Sequence, residues 1–340
     1  MGFFTKTEKK YSFAFIIHAR DVGDFKSNYP VLKIFPNFIL EYFSKFFPPF
    51  IISEVTGLSD MDGDEIRGCI ISCPMTGKIM LANRELAKAR VMQAAKLAER
   101  AGAKNIGLGA FTSPVTDGGK DLLGKVNLFI TTGNTFTAAI AMDDIKNILN
   151  FLKKNISDVS VAVIGASGSI GSGIAKMLAT DKVGSLILIG KTESNLKEVK
   201  DELIKLSGYR NAILSTDIGT AKDADFIIMA TASSKALLAP GDIKKDAVVY
   251  SISQPSNISN KVRERSDIHI YEGGIVYTPG IKHKLKMGLR DEVNFACFSE
   301  TMSLAAGRVR ENFIGKVKVN NIGLVRGLAK KLKFRSALTI

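Results

Sequence analysis

The 340-residue sequence contains no tryptophan, only three histidines and only three cysteines, at positions 69, 73 and 297. Cysteines so few and so unevenly spaced exclude a disulfide framework and fit a reducing, cytoplasmic setting. Cys69 and Cys73 stand four apart in G-C-I-I-S-C-P, but no further Cys or His cluster completes a ligand set, so no metal is expected. No apolar run is long enough to span a bilayer. The apolar stretch Tyr11 to Ile17 runs into Arg20 and Asp21 without a small-residue cleavage site, which argues against a secretory signal. The start Met1-Gly2-Phe3-Phe4-Thr5-Lys6 lacks the hydroxyl residue at position six that myristoylation uses.

Acidic residues are also in short supply. Lys and Arg number 47 against 33 Asp and Glu, a net charge of +14. Half of that excess lies in residues 316–340, where Lys316, Lys318, Arg326, Lys330, Lys331, Lys333 and Arg335 meet no acid. Such a tail suits an acidic protein, nucleic acid or an anionic membrane surface, although a solvated helical face is the commoner origin of such a run. No nucleic-acid-binding motif accompanies it, so nucleic acid is not an expected partner.

What the chain does have is V-S-V-A-V-I-G-A-S-G-S-I-G at 159–171. A β-branched run ends in Gly165, Gly168 and Gly171, and a helical pattern follows. A strand–turn–helix of this kind turns backbone N–H groups and a positive helix end toward a pyrophosphate, with glycines permitting the close approach. Ser167, Ser169 and Ile170 belong to the same candidate cofactor loop. The spacing G-x-x-G-x-x-G is frequent among NADP enzymes. Where NAD sites place an acid at the end of the second strand, this chain reads L-I-L-I-G-K-T-E-S, with Lys191 and Thr192 at that point. A cation and a hydroxyl suit a 2′-phosphate, so NADPH is the expected cofactor. The Y-x-x-x-K signature of short-chain dehydrogenases is missing downstream; Tyr29 with Lys33 precedes the loop and is broken by Pro30.

The periodicities predict an α/β fold, with a Rossmann-like doubly wound parallel sheet domain plus an N-terminal α/β substrate domain. Strands are expected at 13–17, 159–164, 186–189, 225–230, 247–252 and 268–271. Helices are expected at 37–47, 83–101, 136–154, 193–206 and 291–306. The divisions read as 1–155 for the substrate domain, 156–290 for the NADPH domain, and 291–340 for a C-terminal helical segment packing back on the first. Eleven of the twenty phenylalanines fall in the first fifty residues. Phe38, Tyr42, Phe46 and Ile39, Phe43, Phe47 recur at helical spacing, the pattern of a core stripe in most proteins, and also of an apolar tunnel or a face resting on a membrane.

Cys297 lies in N-F-A-C-F-S-E. A cysteine between Ala296 and Phe298 ordinarily packs in a core. Here, however, it falls in a series of blocks: F-I-I-H at 15–18, E-V-T-G at 54–57, I-S-C at 71–73, L-G-A-F-T-S at 108–113, F-I-T-T-G-N-T-F-T-A at 129–138, the glycine loop, I-H-I-Y-E-G-G-I-V at 268–276 and F-A-C-F-S-E at 295–300. In their order and spacing these resemble the aldehyde-forming long-chain acyl-[acyl-carrier-protein] reductases of cyanobacterial type, over residues 12 to 315.

The resemblance implies that Cys297 is the catalytic nucleophile. Its thiolate would take the acyl group from a carrier thioester, and hydride from NADPH would then release a fatty aldehyde. It further implies an acidic acyl carrier protein docking on the basic surface and a long acyl chain, carrier-bound or CoA-bound. His18, Arg290 and His283 are candidates to activate the thiol, His18 standing in a shared block. Ser113 and the Thr132-Gly133-Asn134-Thr135 loop offer groups to orient a thioester carbonyl or a nicotinamide, with Asn134, and Thr231 after the strand at 225–230, assigned to the cofactor. The missing tryptophan and the poor match at 274–294 depart from the family. Two other readings stay open. One is a shikimate- or quinate-type NADP dehydrogenase, which needs a Lys–Asp pair and no Cys297. The other is a non-catalytic NADPH-binding regulatory protein.

Overall fold

The computed structural model describes residues 10–231, 237–253 and 256–340. They form two compact units, the first from residues 1–133, 277–315 and 324–335, the second from 134–276, 316–323 and 336–340.

The first unit runs β1 (Phe13–Ala19), α1 (Val22–Asn28), α2 (Asn37–Ser44), β2 (Phe50–Ser59), β3 (Glu65–Thr76), α3 (Gly77–Ala82), α4 (Arg84–Arg100), β4 (Asn105–Leu108) and β5 (Phe129–Thr131). The sheet order is β2-β3-β1-β4-β5. β1 pairs parallel with β3 and β4, and only β2 runs antiparallel, against β3. β1 is apolar without a break from Phe13 to Ile17, as a central strand covered on both faces requires. Gly68 in β3 makes room for its neighbour: a Cβ there would meet Phe13 Cζ at 2.2 Å. α4 turns Ala87, Val91, Ala94, Ala95 and Ala98 inward at helical spacing, so small side chains let it lie close on the sheet.

The stripe on α2 departs from the core reading. The helix expected over 37–47 ends at Ser44; Phe38, Tyr42 and Phe43 on it, and Phe46 and Phe47 in the turn that follows, are all exposed, while buried Ser44 and half-buried Ile39 and Leu40 face the protein. Periodicity shows that a helix has an apolar face, and here that face points to solvent.

The second unit holds α5 (Asn134–Phe151), β6 (Ser160–Ile164), α6 (Ser169–Thr180), β7 (Ser185–Ile189), α7 (Glu193–Ser207), β8 (Ala212–Ser215), β9 (Phe226–Met229), β10 (Val248–Ser251), α8 (Asn260–Arg263) and β11 (His269–Glu272). All six strands are parallel, in the order β11-β10-β9-β6-β7-β8. Counted from β6, this is the doubly wound order 3-2-1-4-5-6 of dinucleotide-binding sheets, with its switch point between β6 and β9. α5 packs on α6 and is counted with this unit, so the contact boundary falls at Gly133. After the short strand β12 (Ile275–Tyr277) the chain supplies β13 (Val293–Phe295) and α9 (Ala296–Ala306) to the first unit.

A buried carboxyl makes the second unit sensitive to pH. Asp144 on α5 is fully buried and accepts hydrogen bonds from Tyr250 Oη at 2.5 Å and from Ser336 Oγ. Burial outweighs these bonds and raises its pKa to about 6. A carboxyl that is easier to protonate folded than unfolded contributes stability below its unfolded pKa and loses it as pH rises through about 6. Asp144→Asn, which keeps the acceptor for Tyr250, is expected to flatten unfolding free energy between pH 4 and 6.5, removing a slope worth about 2 kcal/mol. Urea denaturation at a series of pH values checks this; an unchanged slope would place the titration elsewhere.

Candidate active site

Sequence periodicity extends a helix across 291–306, but the structure divides this segment. Glu292 adopts a left-handed φ of 58°, Val293–Phe295 is extended, and α9 begins only at Ala296. Cys297 therefore occupies the first turn of an 11-residue helix, at the end where unpaired N–H groups and the helix dipole favour negative charge. Burial nonetheless raises the thiol pKa to about 12, and the Glu300 carboxylate adds to the rise. The backbone N–H groups of Phe298 and of Cys297 itself pull the other way. At neutral pH the resting thiol thus keeps its proton. Cys297 alone among the three cysteines retains exposed surface, whereas Cys69 and Cys73 are fully buried in β3 and their thiols are likewise pushed up to about 12.

α9 lies against β1 and β4. Phe298 stacks on Phe15 with ring centroids 4.7 Å apart, and a Cβ on Gly107 would strike Thr301 Oγ1 at 2.0 Å. The T-T-G-N-T loop after β5 meets the same helix. Gly133, at φ 75°, sits so close that a Cβ would fall 2.1 Å from Cys297 Cβ and 2.2 Å from its Cα. The loop is pinned there by buried polar groups. Thr131 Oγ1 donates to the buried Glu300 carboxylate and accepts from Gly133 N–H at 3.0 Å. Two segments 164 positions apart in the chain, Gly133 and Cys297, are thereby held backbone to backbone.

The histidines have unequal surroundings. His18 is buried, its Nδ1 bonded to Ala19 O at 2.7 Å and its Nε2 accepting Phe111 N–H at 3.1 Å. Burial lowers its pKa, and both ring nitrogens are held by backbone in the neutral form. Its bond to Phe111 anchors the turn that carries Ser113, a half-buried residue whose carbonyl accepts from Gly118 N–H at 2.9 Å.

His283 is different. Its Nε2 lies 2.9 Å from Asn294 Oδ1; Asn294 Nδ2 donates to Thr278 Oγ1 at 2.7 Å, and Thr278 Oγ1 donates to Glu292 O at 3.1 Å. The polarity of this relay, ending on a carbonyl that can only accept, puts the proton on Nε2. Nδ1 is then a lone pair, and it is buried with no hydrogen-bond partner among the described residues. The ring lies 6.0 Å from that of Phe298, the residue after Cys297. The sequence ranks His18 above His283 on its shared block; the asymmetry of the two environments is not visible there.

In the second unit the glycine loop has the shape a dinucleotide needs. Gly165 adopts φ 88°, and a Cβ there would meet Ala230 O at 2.5 Å; one on Gly171 would meet Gly165 O at 2.3 Å. Both cradle positions therefore admit glycine alone. Gly168 caps α6 with no side-chain hydrogen bond, and Ser167, Ser169 and Ile170 are half-buried at the helix N-terminus. This is the geometry of a pyrophosphate cradle at the switch point of the sheet. Thr231 follows β9 on the other side of that point, where its carbonyl accepts from Ser253 Oγ at 2.8 Å. Lys191 and Thr192 are exposed after β7, and the nearby Glu193 pairs with Lys197 at 3.1 Å. Asn134 is the first residue of α5, half-buried. No group of three or more His, Cys, Asp or Glu that would hold a metal occurs among the described residues.

A family profile described as shikimate / quinate 5-dehydrogenase matches residues 146–272, the span of the doubly wound sheet. The chain is 29% identical over 290 residues to the long-chain acyl-[acyl-carrier-protein] reductase of Synechococcus elongatus, covering 81% of this chain and 82% of that protein. It is also 26% identical over 285 residues to the aminotransferase PigE of Serratia sp., where it spans about a third (33%) of the longer protein. Among solved structures, quinate dehydrogenase from Corynebacterium glutamicum in complex with NAD aligns over 75% of this chain and 84% of its own, at 13% identity and TM-score 0.37. The chain is thus a distant relative of a cyanobacterial reductase, with a shikimate-dehydrogenase-like sheet, and both descriptions are those of oxidoreductases.

Proposed function

We propose that this protein reduces a long-chain acyl thioester, carried on an acyl carrier protein or on CoA, to a fatty aldehyde with NADPH. The observation that carries the reading is the apposition of Gly133 to Cys297, which fixes a partly exposed thiol at a helix N-terminus beside a loop of hydroxyls. Similarity to the cyanobacterial reductase over four-fifths of the chain supports it. A thiol serves both halves of such a reaction, as nucleophile toward the incoming thioester and as leaving group from the reduced adduct.

Cys297 attacks the thioester carbonyl and the carrier thiolate leaves with the proton given up by Cys297. Bound NADPH supplies the hydride. The acyl carbon, still bonded to Cys297 Sγ, becomes a tetrahedral alkoxide, and cleavage of its C–S bond releases the aldehyde. A proton from solvent restores the thiol, so one thioester, one NADPH and one proton give one aldehyde, one carrier thiol and NADP⁺. N–H groups in the first turn of α9 and the loop hydroxyls of Thr132 and Ser113 serve the developing oxyanion. With the cofactor bound, Lys191 and Thr192 would take the 2′-phosphate, and Thr231 and Asn134 would hold the nicotinamide half. The basic run Lys330, Lys331 and Lys333 steers an acidic carrier.

A thiol held near 12 needs a base at the moment of attack, and His283 offers the buried lone pair. We assign it as the proton carrier, with His18 positioning the Ser113 turn. His283→Gln keeps a donor toward Asn294 and removes the Nδ1 lone pair. It is expected to lower kcat about 100-fold while leaving NADPH binding intact. An unchanged kcat would remove His283 from proton transfer.

The reading as a whole is tested by following oxidation of NADPH and of NADH with palmitoyl-carrier and palmitoyl-CoA, and reduction of NADP⁺ with shikimate, with the product identified by mass spectrometry. Hexadecanal from a thioester, with NADPH preferred, is the expected result. Turnover of shikimate alone would favour the dehydrogenase suggested by the profile match at 146–272. No turnover of any of them would favour a cofactor-binding regulator.

A further inference from the structure

Soluble domains seldom expose contiguous apolar patches beyond a few hundred Å². Residues 31–50 break this habit. Ile34 is 76% exposed and Phe38 72%, and Tyr42, Phe43, Phe46 and Phe47 follow at 53–59%. Tyr42, Phe43 and Phe46 touch one another edge-on or tilted, with centroids 5.4–6.2 Å apart, and together they form a raised surface.

Within the segment itself the charged side chains are mainly basic. Between Phe25 and Phe50 the chain carries Lys26, Lys33 and Lys45 and a single acid, Glu41. Glu41 is turned inward, accepting from Thr76 Oγ1 at 3.4 Å and pairing with Lys78 at 3.7 Å. Lys26 spends its ammonium on the neutral Asn37 Oδ1 at 2.7 Å, and Lys45 lies over the rings of Tyr42 at 4.1 Å and Phe46 at 5.2 Å. Ammonium groups spread over and beside exposed aromatics are the composition of a helix that rests at a lipid interface, rings at acyl depth and cations among anionic headgroups. Two copies meeting through this face would oppose the same cations across an apolar contact, and an acidic soluble partner would match the cations but leave the rings unsatisfied.

We infer that α2 and its flanking turns dock the protein peripherally on an anionic lipid bilayer. No helix among the described residues is long and apolar enough to cross a membrane, so the contact is superficial, one short helix lying in the headgroup plane. The inference rests on this surface alone and stands apart from the chemistry assigned to Cys297.

The absence of tryptophan makes the test direct. Phe43→Trp would place the sole indole of the protein on the proposed surface. Its emission is expected to shift to the blue on adding vesicles of phosphatidylcholine mixed with phosphatidylglycerol, and to be quenched by brominated acyl chains. Vesicles of phosphatidylcholine alone are expected to bind at least about tenfold more weakly, and added salt to weaken binding further. In flotation, the triple variant Phe38→Ser/Phe43→Ser/Phe47→Ser should lose about tenfold or more of its vesicle-bound fraction with unchanged melting temperature, since these side chains are exposed. No shift and no flotation, or flotation undiminished in the triple variant, would overturn the proposal. So would a dimer of the native protein that the triple variant dissolves while vesicles leave both unbound.

Discussion

Replacement of Cys297 by alanine is expected to lower thioester reduction by about 10³-fold or more, to the background rate of direct hydride attack. The loss should fall on kcat. NADPH binding, read by cofactor fluorescence, should be unchanged, because the glycine cradle lies on β6 and α6 in the second unit. Folding should also tolerate the change, since Cys297 is only partly buried and alanine suits the first turn of a helix. In the native protein, incubation with palmitoyl-carrier without NADPH should leave a hydroxylamine-sensitive acyl adduct on the peptide containing Cys297. Alanine at 297 with full activity would sink the covalent mechanism. Alanine at 297 with shikimate oxidation preserved would favour the rival dehydrogenase.

The second large effect concerns a residue without a side chain. Gly133→Ala sets a methyl group 2.1 Å from Cys297 Cβ and 2.2 Å from its Cα, at a backbone φ of 75°. Neither partner is the far end of a flexible chain, so the loop and the start of α9 must part. Strain and lost packing together are expected to cost about 2–4 kcal/mol of unfolding free energy, measured by urea denaturation. Activity at a temperature where the variant remains folded should fall about 100-fold, because the thiol shifts relative to the loop hydroxyls. Gly124 supplies the control. It shares a left-handed φ of 71°, but a methyl group there would have nothing within 4 Å, so Gly124→Ala should cost only about 1 kcal/mol. Equal costs at the two positions would show that conformation, and not contact with Cys297, makes Gly133 indispensable.

The two halves of the chemistry are unequally readable from sequence. The glycine loop announces itself because every constraint is local: strand, turn and helix succeed one another within thirteen residues, and the structure shows why Gly165 and Gly171 must be glycine. The alternating strands and helices after 159 are readable for the same reason. Cys297 carries no such signal. Its role depends on where α9 starts, and the apolar residues of 291–306 hide a strand inside a helical period, broken by the left-handed Glu292. Its partner Gly133 is distant in sequence, and only the shared blocks hint that the two segments belong together. The relay from His283 to Glu292 is a matter of hydrogen-bond direction, which no spacing encodes. The α2 stripe is plain as periodicity but silent on direction, since a helix with one apolar face reads alike whether that face meets a core or a membrane.

The order in which the chain supplies its parts has a consequence for biosynthesis. The first unit receives β1 to β5 from its opening 133 residues, but α9, which covers β1 and β4, arrives only at residues 296–306. A nascent chain must therefore expose one side of its first sheet while nearly all of the second unit is being made. At a synthesis rate of about 5–20 residues per second, that interval lasts on the order of ten seconds or more. During it Phe15 lacks the ring of Phe298, and the Gly133 loop lacks its partner helix. Long-range contacts of this kind slow folding and invite capture by chaperones. The apposition of Gly133 to Cys297 can thus form only once α9 has been made.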